Sequence, residues 1–246
     1  MKPLAWLCVL ASLALPARAG DFSNWAAIVV AGDFHAETGE PSEVFDNGRA
    51  TIARQLVDLG FSPANIAQFS VRPERYPSDH ARPSTLPNIA DGLRDAAGRA
   101  PGGCFAYFTS HGSDDGIQMG EGEITPRQMA KLIDQACTGR PAVVVVSACY
   151  SGVFVRRLKG PDRIVLTAAA ADRPSFGCGA TDRYTYFDTC AVEWLFKAGD
   201  FVSFADRTVD CVHAREKAEK VEIASHPQLA VGRNAELFPR WSAKPD

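Results

Sequence analysis

The chain has 246 residues, a formal net charge of −3 and 46% hydrophobic residues, which is ample material for a buried core. Basic and acidic residues are interspersed, without the basic patch that marks a nucleic-acid-binding surface, so we expect no nucleic-acid partner. The sequence contains no phosphate-loop, dinucleotide-binding or H-E-x-x-H zinc motif. We therefore expect neither a cofactor nor a metal.

The amino-terminal residues have the features of a secretory leader. Lys2 precedes an apolar run over residues 4–15, and residues 17–19 read Ala-Arg-Ala. The run is too short to span a bilayer, and the final tripeptide is typical of a signal-peptidase site. We expect residues 1–19 to be removed and residues 20–246 to form one domain, exported to the periplasm or secreted. No later segment predicts a membrane span.

The first part of the mature chain alternates predicted strands and helices. The apolar run Trp25–Ala31 predicts a buried strand. Apolar residues at helical spacing predict a helix over residues 44–59, which is followed by a second strand over residues 65–71. Four prolines mark residues 72–87 as a long loop, and a helix then continues to about residue 99.

Two apolar runs in the middle of the chain each lead to a residue with catalytic potential. Residues 104–109 precede His111, and residues 142–147 precede Cys149. Both runs are rich in aromatic and β-branched residues and lack polar alternation, as buried strands do. Thr125, followed by a proline and then a glutamine, predicts the start of a helix between them. Such a crossover makes the strands parallel neighbours or near neighbours, so both residues are expected beyond one edge of the sheet.

The remaining segments complete the predicted fold. They are a small hairpin over residues 116–124, a short helix after Cys149, a buried strand over residues 163–168, an irregular segment over residues 171–184, helices near residues 187–198 and 202–224, and a last strand near residues 228–231. This order predicts an α/β protein, a three-layer α/β/α sandwich with a mostly parallel sheet.

A thiol and an imidazole at one sheet edge are the components of a cysteine nucleophile and its acid/base partner. Gly152 is expected to permit a sharp bend after Cys149, where a helix amino terminus would favour the thiolate. Backbone N–H groups of this turn and of Gly112 are candidates for an oxyanion hole. Taken singly, His111 and Cys149 have ordinary alternatives, a surface histidine and a buried thiol.

Together, the segments around these residues resemble the C13 (legumain-like) cysteine peptidases, which have the caspase-haemoglobinase fold. The resemblance rests on Ser-His-Gly at residues 110–112 and on Ser-Ala-Cys-x-Ser-Gly at residues 147–152. Residues 24–32 resemble the opening strand of that family, and residues 167–178 and 184–187 resemble its exported proteobacterial members.

The resemblance implies specific roles for the matching positions. Cys149 would be the nucleophile, His111 the general acid/base, and the amides of Gly112 and Cys149 the oxyanion hole. Ser175 falls where the family has a pocket-wall serine, and Asp188 or Thr189 falls near its pocket carboxylate. For these last residues an ordinary loop role is the alternative.

The sequence also departs from the legumain pattern. Ser110 and Tyr150 stand where legumains usually have Asp and Glu. Residues 41–46, in the loop after the first strand, contain no counterpart of the Arg-His pair of the asparagine pocket. Asparaginyl specificity is therefore not implied.

Acidic residues in the loops flanking the site predict a net negative substrate pocket. The candidates are Glu43, Asp46, Asp182 and Asp188. Such a pocket would favour a basic P1 side chain, because a buried carboxylate left unpaired is costly. The alternative is that these acids are solvated loop residues and that a different polar wall sets the P1 preference.

Cysteine usage is consistent with an oxidising compartment, where disulfides are the default. We predict a bridge between Cys104 and Cys137, because one opens a strand and the other ends the helix before the next strand. The alternative is two buried thiols. If Cys149 stays free, at least one other cysteine of the mature chain is also unpaired.

The leading hypothesis is an exported cysteine endopeptidase acting on peptides or proteins. A transpeptidase or transamidase using the same Cys-His pair is an alternative, since both share nucleophile, base and oxyanion hole. A catalytically silent binding protein on the same scaffold is another. The other histidines, which match no motif and are expected to be structural or on the surface, are His35, His80, His213 and His226. The sequence does not specify the oligomeric state.

Overall fold

The structure is a computed structural model that describes residues 21–242. The predicted leader, residues 1–19, lies outside the described residues. The strands are β1 (Trp25–Ala31), β2 (Ile66–Ser70), β3 (Arg82–Pro83), β4 (Gly103–Thr109), β5 (Ile117–Met119), β6 (Gly122–Ile124), β7 (Ala142–Ser147), β8 (Arg163–Thr167) and β9 (Gln228–Val231). The helices are α1 (Val44–Asp58), α2 (Leu86–Arg99), α3 (Pro126–Ala136), α4 (Val155–Leu158), α5 (Tyr186–Lys197) and α6 (Phe201–Ala218).

Seven of these strands form one sheet in the order β3-β2-β1-β4-β7-β8-β9. Every neighbouring pair is parallel except β8 and β9, which are antiparallel. After β1 the chain adds β2 and β3 on one side of β1. It then adds β4, β7, β8 and β9 on the other side. The connections that follow β1 and β4 therefore lead to opposite sides, and their first residues border the carboxyl edge, where open α/β sheets form a binding crevice.

Helices cover both faces of the sheet, which gives the three layers that the sequence predicts. In β1, Ala27 and Val29 lie in a core shared with α1, α5 and α6, whereas Ile28 and Val30 lie in a core shared with α2, α3 and α4. All residues of β1 are buried. Because both faces are covered, these strands are continuously apolar rather than alternating.

Local signals fix where α3 begins. The Thr125 hydroxyl accepts the N–H of Gln128, and the Gln128 side chain accepts the N–H of Thr125, which is the predicted capping box. The capping box therefore defines the residue at which α3, the helix that connects β4 to β7, begins.

The end of α6 differs from the prediction. The helix stops at Ala218, and Lys220 adopts a left-handed conformation with φ of 56°. Glu216 is buried and accepts the N–H of Ser225 at 2.9 Å. The chain folds back here because this buried carboxylate binds the backbone that follows the helix.

Two disulfides connect neighbouring elements. The predicted bridge between Cys104 and Cys137 is confirmed, with a Cα–Cα distance of 6.2 Å, and it joins the start of β4 to the end of α3. A second bridge, between Cys190 and Cys211, joins α5 to α6 and was not predicted. Among the described residues, Cys149 and Cys178 are free.

Candidate active site

His111 and Cys149 follow two adjacent parallel strands in matching register. Thr109 of β4 pairs with Ser147 of β7, and each candidate lies two residues beyond the last residue of its strand. The N–H of Ser110 extends the pairing by donating to the Ser147 carbonyl at 3.1 Å. The structure thus brings both side chains to the carboxyl edge of the sheet, beside the point where the strand order reverses.

Cys149 sits at a strained turn. Tyr150, the next residue, has φ of 57°, a left-handed conformation that is unfavourable for a bulky side chain. Its N–H donates to the Arg173 carbonyl at 2.8 Å, which holds the turn. Gly152 is required for close approach rather than for the bend, because a Cβ there would lie 2.4 Å from the Ala171 nitrogen. The segment that follows is a 3₁₀ turn and a single turn of α4, not a long helix.

Ser175 contacts the sulfur of Cys149 directly. The Ser175 N–H lies 3.2 Å from Sγ, and both the Ser175 carbonyl and hydroxyl oxygens lie 3.6 Å from it. An N–H donor in this position can stabilise negative charge on the sulfur. The predicted pocket residue Ser175 is therefore beside the candidate nucleophile.

The imidazole of His111 is oriented by a backbone carbonyl. Its Nε2 lies 3.0 Å from the carbonyl oxygen of His35, in the loop after β1. A carbonyl only accepts, so Nε2 carries the hydrogen and Nδ1 keeps a lone pair. The ring of Phe45 meets the imidazole edge-on, with centroids 5.1 Å apart.

The candidate oxyanion-hole amides belong to adjacent backbone segments. A Cβ on Gly112 would lie 2.4 Å from the Cys149 carbonyl oxygen, so only glycine fits there. Within residues 21–242, neither the Gly112 N–H nor the Cys149 N–H donates to a protein acceptor. Both donors remain available for a developing oxyanion.

Asp188 lies beneath this edge, and its side chain is fully enclosed. The hydroxyls of Tyr107 and Thr109 each donate to its carboxylate at 2.6 Å. Burial raises the pKa of Asp188, against the lowering effect of these hydroxyls. In this arrangement its carboxylate has no surface in contact with solvent.

Glu43 and Asp46, two of the other three predicted pocket acids, already have cationic partners. Asp46 is buried and accepts from Nε of Arg49 at 2.7 Å, and burial raises its pKa more than Arg49 lowers it. Glu43 pairs with Arg75 at 2.8 Å and Arg72 at 3.3 Å. Neither carboxylate is left unpaired for a substrate cation.

Cys178 is a second free thiol near the site. It packs against the cluster formed by Ala31, Val44 and Phe45, and it lies three residues beyond Ser175. Burial, followed by the charge on Cys149, raises the pKa of Cys178 to about 11.

The sequence did not point to the part that His35 plays. Its ring matches no motif, which predicts a structural or surface role, and the group that contacts His111 is a main-chain oxygen. In the sequence, Gly32-Asp33 directly after β1 indicates that the strand ends there. These residues begin the loop that contains the His35 carbonyl.

The part of the chain that the structure describes contains no candidate metal site and no candidate membrane span. No group of three or more His, Cys, Asp or Glu side chains there is arranged to hold a metal ion. No helix there combines the length and apolarity needed to cross a membrane.

Comparisons with known proteins agree with this architecture. The sequence model of the peptidase C13 family matches residues 100–224, which include both His111 and Cys149. A search of curated proteins finds no significant match. The crystal structure of caspase-1 from Spodoptera frugiperda is similar, with a TM-score of 0.60 and 15% identity over 93% of this chain and 94% of that chain. This likeness shows the caspase-type fold. Family and fold together support a cysteine-peptidase function, and the chain belongs to the peptidase C13 family.

Proposed function

We propose that this protein is an exported cysteine endopeptidase whose mature chain, residues 20–246, forms one peptidase domain. Cys149 is the nucleophile, His111 the general acid/base, and the N–H groups of Gly112 and Cys149 the oxyanion hole. The observation that carries the proposal is the matched register of the two strands, whose ends lie two residues before the imidazole and the thiol at the same edge of the sheet. Two disulfides are compatible with an oxidising compartment.

The proposed first half-reaction forms an acyl-enzyme. His111 takes the proton of the Cys149 thiol at Nδ1, and the sulfur attacks the carbonyl carbon of the scissile peptide bond. The oxyanion accepts hydrogen bonds from the two amides. When this intermediate collapses, the C–N bond breaks and His111 gives its proton to the leaving amine.

The second half-reaction regenerates the enzyme. His111 takes a proton from a water molecule, whose oxygen attacks the thioester carbonyl, and the thiolate leaves with the bond electrons. Proton return from His111 to sulfur completes the cycle. If an amine enters in place of water, the product is a transpeptidation product, so product analysis separates these two outcomes.

Substitution of either partner tests this mechanism. Cys149→Ala and His111→Ala are each expected to lower kcat on a cleaved peptide by more than about 10³-fold, because each removes a group that acts in the transition state. An electrophilic peptide probe, mapped by mass spectrometry, is expected to label Cys149.

Cys178→Ala is the matched control. Because the pKa of the Cys178 thiol is raised to about 11, that thiol is protonated and weakly nucleophilic at neutral pH. The control is expected to keep both turnover and labelling. Near-wild-type turnover by Cys149→Ala, or labelling confined to Cys178, would show that Cys149 is not the nucleophile.

For substrate preference we propose a basic P1 side chain, with Asp182 as its carboxylate partner. Asp188 is enclosed, and Glu43 and Asp46 are paired with arginines, so these three have no free carboxylate to offer. Asp182 is exposed, forms no ion pair within residues 21–242, and accepts the N–H of Gly179 at 2.8 Å. That contact holds it in the loop that carries Ser175 to Cys149.

Kinetics on matched peptides with Arg, Lys or Asn at P1 test this preference. We expect higher kcat/KM for Arg and Lys, and a loss of about threefold for these substrates in Asp182→Asn, the size expected for an exposed ion pair. Glu43→Gln serves as the control, because its carboxylate is already paired, and no P1-dependent change is expected. A preference for Asn would contradict the basic pocket and leave the Cys-His mechanism intact.

A further inference from the structure

The side chain of Asp33 organises the loop that orients His111. This aspartate directly follows Gly32, where β1 has ended, and it is only 4% exposed. Its Oδ1 atom accepts three hydrogen bonds, from the N–H of Phe34 at 2.6 Å, the N–H of His35 at 3.1 Å and the ring Nδ1 of His35 at 2.7 Å. The amide and the ring of His35 are therefore both held by one carboxylate.

The same residue, His35, supplies the carbonyl that meets His111. That carbonyl lies 3.0 Å from Nε2 of His111. Because the amide and side chain of His35 are fixed on Asp33, the direction of its carbonyl is restricted as well. The position of this main-chain acceptor therefore depends on the contacts that hold the loop.

The loop after β1 is also bonded to β4, the strand that precedes His111. The N–H of Gly32 donates to the Thr109 carbonyl at 2.9 Å, and Thr109 lies two residues before His111. Asp33 is thus anchored, through Gly32, to β4. The residue contacted by its loop, His111, follows that same strand. On the outer side, the N–H of Ser42 donates to the Phe34 carbonyl at 2.7 Å, and the Arg72 guanidinium lies 4.3 Å from the centre of the Phe34 ring.

We propose that Asp33 is a positioning residue for His111, acting through the backbone carbonyl of His35. The inference rests on the proposed role of His111 as acid/base. Asp33 keeps the carbonyl on Nε2, which holds the hydrogen there and leaves Nδ1 free to take the thiol proton. The alternative is that Asp33 only stabilises the loop.

The first test separates kcat from KM. Asp33→Ala is expected to lower kcat by about tenfold to a hundredfold, the range typical for loss of a partner that orients a functional histidine, with little change in KM. Asp33→Asn keeps an oxygen that can accept the two backbone N–H groups, so it is expected to restore part of the loss. Asp21→Ala is the matched control, because Asp21 also accepts the N–H of the residue two positions later, Ser23, at 2.9 Å. Its kcat is expected to match that of the wild type.

The second test does not depend on peptidase activity. Side-chain ¹H–¹⁵N NMR is expected to show His111 as the Nε2–H tautomer in the wild type and as a mixture of tautomers in Asp33→Ala. An unchanged tautomer with unchanged kcat in a folded Asp33→Ala protein would overturn the inference. If the wild type cleaves no peptide but its His111 tautomer still differs from that of Asp33→Ala, the proposed function is contradicted and the positioning role is supported.

Discussion

At the scale of single residues, each buried carboxylate accepts hydrogen bonds from specific donor groups. Asp188 is enclosed beneath the site with two hydroxyl donors, and burial raises its pKa. Folding therefore favours the protonated form of this group. Its contribution to stability is complete below the ordinary value of 3.8 and is lost as the pH rises through the folded-state pKa.

Asp188→Asn tests this pH dependence. The amide is neutral at every pH, and the two hydroxyls can rotate to accept as well as donate. We expect the difference in the free energy of unfolding, variant minus wild type, to increase as the pH rises above 3.8. The increase is at most about 1.4 kcal/mol per pH unit. Urea unfolding at several pH values measures the difference.

The exposed carboxylate of Asp91, paired with Arg94, provides the control. Asp91→Asn is expected to show a smaller pH-dependent difference, because this side chain is in contact with solvent. Equal slopes for the two variants would contradict the assignment of the effect to burial of Asp188.

At the scale of elements, the turn after β7 and the loop after β1 hold the site, and the disulfides lie elsewhere. Cys104 is near the start of β4, five residues before the strand ends at Thr109, which at 3.3 Å per residue is about 17 Å along the strand. The bridge between Cys190 and Cys211 ties α5 to α6 in the layer on one face of the sheet. Both bridges therefore stabilise the scaffold rather than take part in chemistry.

Removal of each bridge is expected to lower stability without removing activity. The bridges close loops of 33 and 21 residues, and loss of such a crosslink costs about 3 kcal/mol through the entropy of the unfolded chain. The double variants Cys104→Ala/Cys137→Ala and Cys190→Ala/Cys211→Ala are compared by urea unfolding and by turnover under folding conditions.

Cys178→Ala again provides the comparison, since it removes a thiol but no crosslink. A double variant as stable as this control would contradict the entropic argument. Lost turnover in a variant that remains folded would contradict the separation of scaffold and site.

At the scale of the whole molecule, the reversal of strand order determines where the loops converge. β1 and β4 are neighbours whose following connections run to opposite sides, and the loops after β1, β4 and β7 supply His35, His111 and Cys149. The likeness to caspase-1 at 15% identity fits this view. A sheet covered on both faces needs only apolar strands of the right length, so the fold tolerates wide sequence change while chemistry depends on a few edge residues.

The sequence by itself determined the layers, the parallel sheet, the bridge between Cys104 and Cys137 and the placement of His111 and Cys149 at one edge of the sheet. These follow from local signals: apolar runs without alternation, the capping residues of α3, and the rule that crossovers make strands parallel. The motifs around His111 and Cys149 are also short and contiguous, so they can be read from the chain alone.

Only the tertiary structure decided the partners of the buried polar groups. Asp188 meets Tyr107 across 81 residues of chain, and His111 meets the His35 carbonyl across 76. No local pattern encodes such contacts, because they depend on which loops the sheet order brings together. The physical reason is that a buried polar group must find a hydrogen-bond partner wherever the fold supplies one, whereas an apolar strand needs only to be covered.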